Sequence, residues 1–112
     1  MGMDCYIWEA PNHRIFKDEN WYSSGAVKER MYWRKNWDMV ENWSFMPKPY
    51  ENGDFIEIGS KELEEMIQVA CTYRDYFGTY DSVPKLCELR DEVLGWEEDE
   101  LTDRKLFVEY DY

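Results

Sequence analysis

Two segments at opposite ends of the chain show an alternating pattern of side chains. Residues 3–10 place Cys5 and Ile7 on one face and aromatic side chains on the other, and Pro11 ends the pattern. Residues 105–112 alternate between a largely apolar face and a largely acidic one. A period of two residues is that of a β-strand with one buried face, and proline interrupts a strand's hydrogen-bond ladder. Both segments are therefore predicted to be strands.

A third, shorter strand is predicted in the middle of the chain. Asn52-Gly53 is a common turn sequence, and the residues FIEI that follow place Ile56 and Ile58 on one face. The turn and the short alternation together predict a strand here.

The clearest helical pattern runs from Ser60 to Phe77, where apolar side chains recur three and four residues apart. Ser60 can cap the first turn, and Gly78 can end the helix. A second amphipathic helix is predicted from Ser82 to Gly95. Pro84 is tolerated in its first turn, and Gly95 is a common type of residue at a helix end.

The ten residues KERMYWRKNW, at positions 28–37, fit two periods. In a strand, Met31 and Trp33 would alternate with arginine and tyrosine side chains. In a helix, Trp33 and Trp37 would share one face. Neither proline nor glycine interrupts residues 26–43, and this uninterrupted length favours the helix. We call residues 28–37 the basic–aromatic segment.

The predicted elements follow one another in the order β-α-β-α-α-β. This order predicts an α+β fold, with a small, mostly antiparallel sheet and about three helices packed on one face. A chain of 112 residues is long enough for one modest core, so we expect residues 1–112 to form a single domain.

Aromatic residues are unusually frequent, at 18% of the chain, and six of them are tryptophans. A small core has limited room for large rings, so we expect some of them at the surface. Aromatic side chains contribute strongly to binding interfaces, which makes exposed rings candidates for contact with a partner.

The chain is also strongly acidic, with a formal net charge of −12 and a pI of about 4.4. A negative field repels nucleic-acid phosphates and attracts basic proteins. We therefore expect a protein partner with a basic surface and no direct binding to nucleic acid.

Cysteine usage and hydropathy indicate the compartment. Cys5, Cys71 and Cys87 are an odd number of cysteines without a CxxC pair, which is typical of free thiols in a reducing compartment. No apolar run approaches the ~18 residues of a membrane span, and no signal-peptide pattern is present. The expected location is the cytoplasm, away from membranes.

No catalytic constellation is apparent in the sequence. His13 is the single histidine, no serine or cysteine lies in a nucleophile motif, and the cysteines lack zinc-site spacing. Glycine-rich phosphate-binding loops are absent as well. We expect a protein that is not an enzyme and that uses neither a metal ion nor a cofactor.

The basic–aromatic segment is one candidate binding site. Arg30, Arg34 and Lys35 could bind an anion while Trp33 and Trp37 stack on a ring. Alternatively, the tryptophans belong to the core and the arginines lie at its edge, paired with the protein's own carboxylates. The two interpretations predict different neighbours for the arginines, namely solvent beside an exposed indole or internal Asp and Glu.

The C-terminal part is the other candidate, because residues 86–112 contain ten acidic and three basic residues. Carboxylates along a surface can imitate backbone phosphates and occupy the Lys/Arg groove of a nucleic-acid-binding protein. A purely solvated acidic face is the alternative. The candidate mimic residues are Glu88, Asp91, Glu92, Glu97, Glu98, Asp99, Glu100 and Asp103.

The sequence YWRK at residues 32–35 is followed by Trp37 and Trp43, and then by FIEIGSKELEEMIQVA at residues 55–70. These features resemble a group of small acidic proteins of bacteriophages and prophages, in which a YWRK helix precedes an extended segment and an LEE helix. The resemblance spans residues 25–75. It implies a helix in the basic–aromatic segment and a phage setting, and it implies no mechanism.

Two functional hypotheses follow. In the first, a phage-type protein, monomeric or homodimeric, contacts a host protein in the bacterial cytoplasm and inhibits or redirects it. A defence protein or another nucleic-acid-binding protein is the natural target of an acidic mimic. In the second, an aromatic–basic pocket sequesters a nucleotide or a signal molecule.

Overall fold

The sheet is the central element of the fold. A computed structural model describes residues 4–34, 42–47, 54–72, 82–99 and 102–111. Within these ranges, four antiparallel strands form one sheet in the spatial order β2-β1-β4-β3. The first and last strands of the chain therefore lie side by side at its centre. The strands are β1 (Asp4–Ala10), β2 (Lys28–Arg34), β3 (Ile56–Ile58) and β4 (Lys105–Asp111).

Two α-helices in the described residues, α1 (Ser60–Thr72) and α2 (Val83–Glu98), pack against each other and on one face of the sheet. Two short 3₁₀ helices, His13–Lys17 and Trp21–Ser23, lie between β1 and β2. The predicted α+β class is confirmed. The predicted order is matched only in part, because the described strands and α-helices run β-β-β-α-α-β. Neither described α-helix combines the length and the apolar character that crossing a membrane requires.

Most predicted elements lie close to their predicted positions. Strands β1, β3 and β4 follow the alternating segments, and α1 begins at Ser60. The predicted continuation of α1 to Phe77 lies outside the described residues. Helix α2 differs from prediction at its end, because it continues through Gly95 to Glu98. A glycine inside a helix costs about 1 kcal/mol, and the packing of Trp96 against the core favours the extra turn.

The predicted helix in the basic–aromatic segment is wrong for residues 28–34, which form β2. Strand β2 pairs with β1, with Ile7 opposite Met31, and this pairing buries Met31 and Trp33 against the helices. Strand β1 pairs with the backbone groups along one edge of β2, so an uninterrupted length without proline or glycine did not require a helix. The rest of the segment, residues 35–37, lies outside the described part of the chain.

The main core lies between the inner face of the sheet and the two helices. Trp43 is 1% exposed and enters this core from the segment after β2. Its ring stacks near Phe45 and Tyr110, at centroid distances of 5.6 and 6.4 Å. The other buried members are Cys5, Ile7, Met31, Trp33, Met46, Ile58, Leu63, Met66, Ile67, Ala70, Leu86, Leu89, Val93, Leu106 and Val108.

The outer face of the sheet carries a second, smaller cluster formed by Trp8, Ala10, Phe16 and Phe107. Phe107 is fully buried, although it alternates with the inner-face residues of β4. The first 3₁₀ helix places Phe16 beside it, with ring centroids 5.0 Å apart. Further along the same face Tyr32 is 46% exposed, so this covering layer is partial.

Candidate interaction surfaces

Arg30 is held between two carboxylates of the protein itself. Its Nη1 donates a hydrogen bond to Oε1 of Glu9, and its Nη2 donates one to Oε2 of Glu92, both at 2.5 Å. Burial by itself would lower the pKa of Arg30, but hydrogen bonds and charge attraction from Glu92 and Glu9 outweigh it and raise that pKa. We call these three residues the Arg30 clamp. Arg30 therefore pairs with internal carboxylates, whereas the side chain of Arg34, the other arginine of that interpretation, lies outside the described part of the chain.

A β-bulge directs Arg30 toward the helices. Ile7 of β1 lies opposite Met31, and the next residue, Trp8, lies opposite Glu29, so Arg30 is an additional residue in β2. A bulge of this kind locally changes the direction of side chains in a strand. The side chain of Arg30 consequently lies on the same side of the sheet as that of its neighbour Met31, where it reaches the carboxylate of Glu92 in α2.

Trp33 belongs to the main core and is 6% exposed. Its indole Nε1 donates a hydrogen bond to Oγ of Ser82 at the start of α2, at 2.9 Å. A ring in this position has little surface left for stacking on an external base. The structure therefore does not join Trp33 and Arg30 into an open aromatic–basic pocket. The other candidates of this set lie outside the described side chains: Arg34, Lys35 and Trp37.

Three of the predicted mimic residues have partners within the protein. Glu92 belongs to the Arg30 clamp, and Asp91 lies 3.4 Å from Arg90. Glu97 accepts hydrogen bonds from the backbone N–H and the hydroxyl of Ser60, at 2.8 and 2.7 Å. This carboxylate of α2 thus caps the N-terminus of α1, where a negative charge is favourable.

The remaining described mimic candidates lie at exposed positions on α2 and in the loop that follows it. They give this part of the surface an acidic character. We call them the exposed helix acids: Glu88, Glu98, Asp99 and Asp103. The eighth candidate, Glu100, lies outside the described residues.

A row of aromatic rings crosses the outer face of the sheet, and the sequence pattern did not predict it. Ring centroids are 5.1 Å apart between Tyr32 and Tyr6, 4.9 Å between Tyr6 and Trp8, and 6.1 Å between Trp8 and Tyr22. These spacings are typical of favourable aromatic pairs. The two ends of the row, Tyr32 and Tyr22, are 46% and 76% exposed. We call these four residues the aromatic row.

Carboxylates on three strands flank the aromatic row. Trp8 donates a hydrogen bond from Nε1 to Oε1 of Glu109 in β4, at 2.9 Å. The hydroxyl of Tyr32 donates one to Oδ1 of Asp4 in β1, at 2.6 Å. Glu29 of β2 lies opposite Trp8 in the strand register and is exposed. The rings are therefore bordered by negative charge on several sides.

The sequence contains a pattern that predicts part of the aromatic row. Alternation in residues 3–10 places Tyr6 and Trp8 on one face, and that face was predicted correctly. Tyr32 joins them only when residues 28–34 form a strand, so the helical interpretation concealed the row. Tyr22 lies in a turn-rich segment without periodicity, and its position depends on tertiary packing.

Two of the described side chains with catalytic potential are those of His13 and Cys5. His13 is exposed, and its Nε2 lies 3.2 Å from the carbonyl oxygen of Phe55. Cys5 is buried and free, and its burial, with a smaller contribution from the charge of Glu109, raises the pKa of its thiol well above the ordinary value. Within the described ranges, no group of three or more His, Cys, Asp or Glu side chains could hold a metal ion.

Three surface grooves are lined by described residues. One of 360 Å³ runs beside Ser44 and Glu65, one of 270 Å³ beside Pro11, and one of 190 Å³ beside Trp96. None of these three grooves is lined by Trp33, by Arg30 or by a ring of the aromatic row. They give no particular support to the hypothesis of a nucleotide pocket.

Similarity to known proteins does not assign the chain to a family. Comparison with protein-family models, with curated proteins and with solved structures found no match. The comparisons therefore supply neither a family nor a function for this chain.

Proposed function

We propose that this protein is a non-enzymatic binding protein that contacts a partner protein with a basic surface and inhibits or modulates it. The main support is the Arg30 clamp. Arg30 was a leading candidate for binding an anionic ligand, and Glu9 and Glu92 neutralise it inside the protein. The surfaces that this arrangement leaves exposed include the acidic residues of α2 and the ends of the aromatic row.

The charge of the whole chain favours a basic partner. A net charge of −12 attracts positively charged surfaces over long distances, which accelerates association and makes it sensitive to salt. Exposed rings such as Tyr22 and Tyr32 supply the kind of side chain that dominates binding energy in protein interfaces. Long-range attraction and local ring contacts together support recognition of a protein.

The resemblance to phage proteins supports a host protein as the partner, in the cytoplasm of a bacterium. A defence protein or another nucleic-acid-binding protein has the Lys/Arg groove that carboxylates can occupy in place of phosphates. Acidic mimicry is the form of inhibition that this charge distribution supports best.

A capture experiment tests the proposed contact. The intact protein is immobilised and exposed to bacterial lysate at low and at high salt, beside a resin that carries an unrelated protein of similar net charge. We expect a basic protein to be retained on the first resin at low salt and released at high salt, because screening weakens charge attraction. Equal retention on the control resin, or no retained protein, would contradict the proposal.

Competition with added duplex DNA tests the mimicry separately. DNA should displace the captured partner when the acidic surface occupies a nucleic-acid groove. A partner that stays bound in excess DNA would contradict mimicry and leave the protein contact standing.

A further inference from the structure

We infer that the aromatic row receives the partner, and that its occupant is an extended segment of a basic protein whose arginine or lysine side chains stack on Tyr32 and Tyr22. This inference rests on the proposed function and deepens it, because it names the surface and the chemistry of the contact. It places the contact on the outer face of the sheet, so the carboxylates that would occupy the partner's basic groove are Asp4, Glu29 and Glu109 beside the rings, and not the exposed helix acids.

The first support is the exposure of the rings. A guanidinium or ammonium group within about 6 Å of a ring centroid is attracted by the electrons of the ring face. Tyr32 and Tyr22 expose 46% and 76% of their surface at opposite ends of the row. Between them Tyr6 is half-buried and Trp8 is only 5% exposed, so the two terminal rings form most of the surface that a single extended segment can contact.

The second support is the charge around the rings. Asp4, Glu29 and Glu109 lie beside the row on three different strands and can pair with a cation that stacks on a ring. The border of the row thus remains complementary to Lys and Arg.

The third support is the fixed orientation of the rings. Hydrogen bonds hold Tyr32 to Asp4 and Trp8 to Glu109. Trp21 packs edge-on against both Trp8 and Tyr22, at centroid distances of 5.2 and 5.6 Å. A surface that is already ordered loses little conformational entropy when a partner binds, which favours affinity.

A peptide titration tests the inference on the intact protein. The probe is an acetylated, amidated peptide in which glycines separate two arginines, and the matched control peptide carries neutral citrulline at both positions. We expect the arginine peptide to shift backbone NMR signals of β1 and β2 around Tyr6 and Tyr32. Binding of the citrulline peptide with equal affinity, signal shifts centred on α2, or no binding would overturn the inference.

Two pairs of variants locate the contact. Tyr32→Leu removes the ring and should weaken peptide binding about fivefold, whereas Tyr32→Phe retains the ring, loses only the hydrogen bond to Asp4 and should weaken binding less. Glu29→Gln beside the row should weaken binding more than Glu98→Gln on α2, although both remove one negative charge. Equal effects within either pair would overturn the inference. The amide spectrum of each variant verifies that the fold is retained.

A free polyamine is the competing source of cations. Spermidine that reproduced the shifts of the arginine peptide at the same affinity would overturn the assignment to a protein segment.

The lysate capture distinguishes failure of the aromatic row as the contact from failure of the proposed function. Specific capture that Tyr32→Leu leaves unchanged overturns the aromatic row as the contact, whereas failure of the wild type to capture a basic protein overturns the proposed function.

Discussion

Arg30 and Arg90 form ion pairs of the same type in different surroundings. The side chains of Arg30 and Glu9 are 16% and 18% exposed, whereas Glu64, the partner of Arg90, is 48% exposed. Removing a cation from a largely buried carboxylate leaves that carboxylate poorly solvated, which is more costly than removing it at the surface. The surroundings of each arginine therefore determine its contribution to stability.

We expect Arg30→Met to lower the free energy of unfolding by about 1–3 kcal/mol, because Glu9 loses its charged hydrogen-bond donor beside the core. Arg90→Met is the matched control and should cost clearly less, since water can solvate Glu64. Urea denaturation of both variants measures the difference. Equal losses for the two substitutions would contradict a structural role for the clamp.

The three thiols should differ in reactivity. Cys71 is exposed and Cys87 is half-buried, whereas burial and then the charge of Glu109 raise the pKa of Cys5. Because the thiolate is the reactive form, we expect an alkylating reagent to modify Cys71 first and Cys5 only after unfolding. Mass spectrometry of timed samples measures the order. Modification of Cys5 in the folded protein as fast as Cys71 would contradict its burial.

The raised pKa of Cys5 also has a consequence for stability at high pH. The folded protein retains this proton at pH values where the unfolded chain loses it. The contribution of neutral Cys5 to stability is thus complete below the pKa of the unfolded thiol and declines as pH rises through the folded pKa.

At the scale of single elements, local patterns predicted most of the fold. Helices α1 and α2 have apolar periods within their own sequence, and β1, β3 and β4 show local alternation. These signals do not depend on distant residues, so the sequence was sufficient for them. The burial of Phe107 was not predictable in this way, because Phe16 covers it from a turn-rich segment.

Strand β2 shows where local patterns are insufficient. The bulge at Arg30 places this side chain with Met31, so regular alternation holds only from Met31 onward. The remaining alternation is short and was outweighed by the uninterrupted length of residues 26–43. Pairing with β1 decides the conformation, and that pairing is a tertiary interaction between segments distant in the chain.

Helix α1 depends on a cap supplied by another helix. Glu97 of α2 accepts two hydrogen bonds from Ser60. We expect Glu97→Ala to lower the free energy of unfolding by about 1 kcal/mol and to speed hydrogen exchange in the first turn of α1. Glu98→Ala, one residue further on and exposed, is the control. It should change neither the free energy of unfolding nor hydrogen exchange in the first turn of α1. Unchanged exchange in Glu97→Ala would contradict the capping role.

At the scale of the whole molecule, the candidate surface depends on the fold more than on any motif. The aromatic row combines side chains from β1, from β2 and from the second 3₁₀ helix. Charges could be counted in the sequence, but their pairing could not. That pairing removes Arg30 from the possible ligand contacts and assigns Glu92 and Glu97 to internal roles.

The net charge of −12 should make stability depend on salt. Carboxylates that repel one another destabilise a compact state, and salt screens this repulsion. We therefore expect the melting temperature to rise when sodium chloride increases from low to moderate concentration. A triple variant, Glu88→Gln with Glu98→Gln and Asp103→Asn, should show a smaller rise. A melting temperature that falls with salt would contradict this prediction.

Site-specific photo-crosslinking tests most directly whether a basic protein contacts the outer face of the sheet. The photoreactive residue p-benzoylphenylalanine replaces Tyr32 in one variant and Glu98 in a control variant, and each intact protein is irradiated in bacterial lysate. We predict that position 32 becomes joined to a protein with a basic surface and that position 98 does not. Crosslinking from position 98 alone, or to an acidic protein from position 32, would contradict the account.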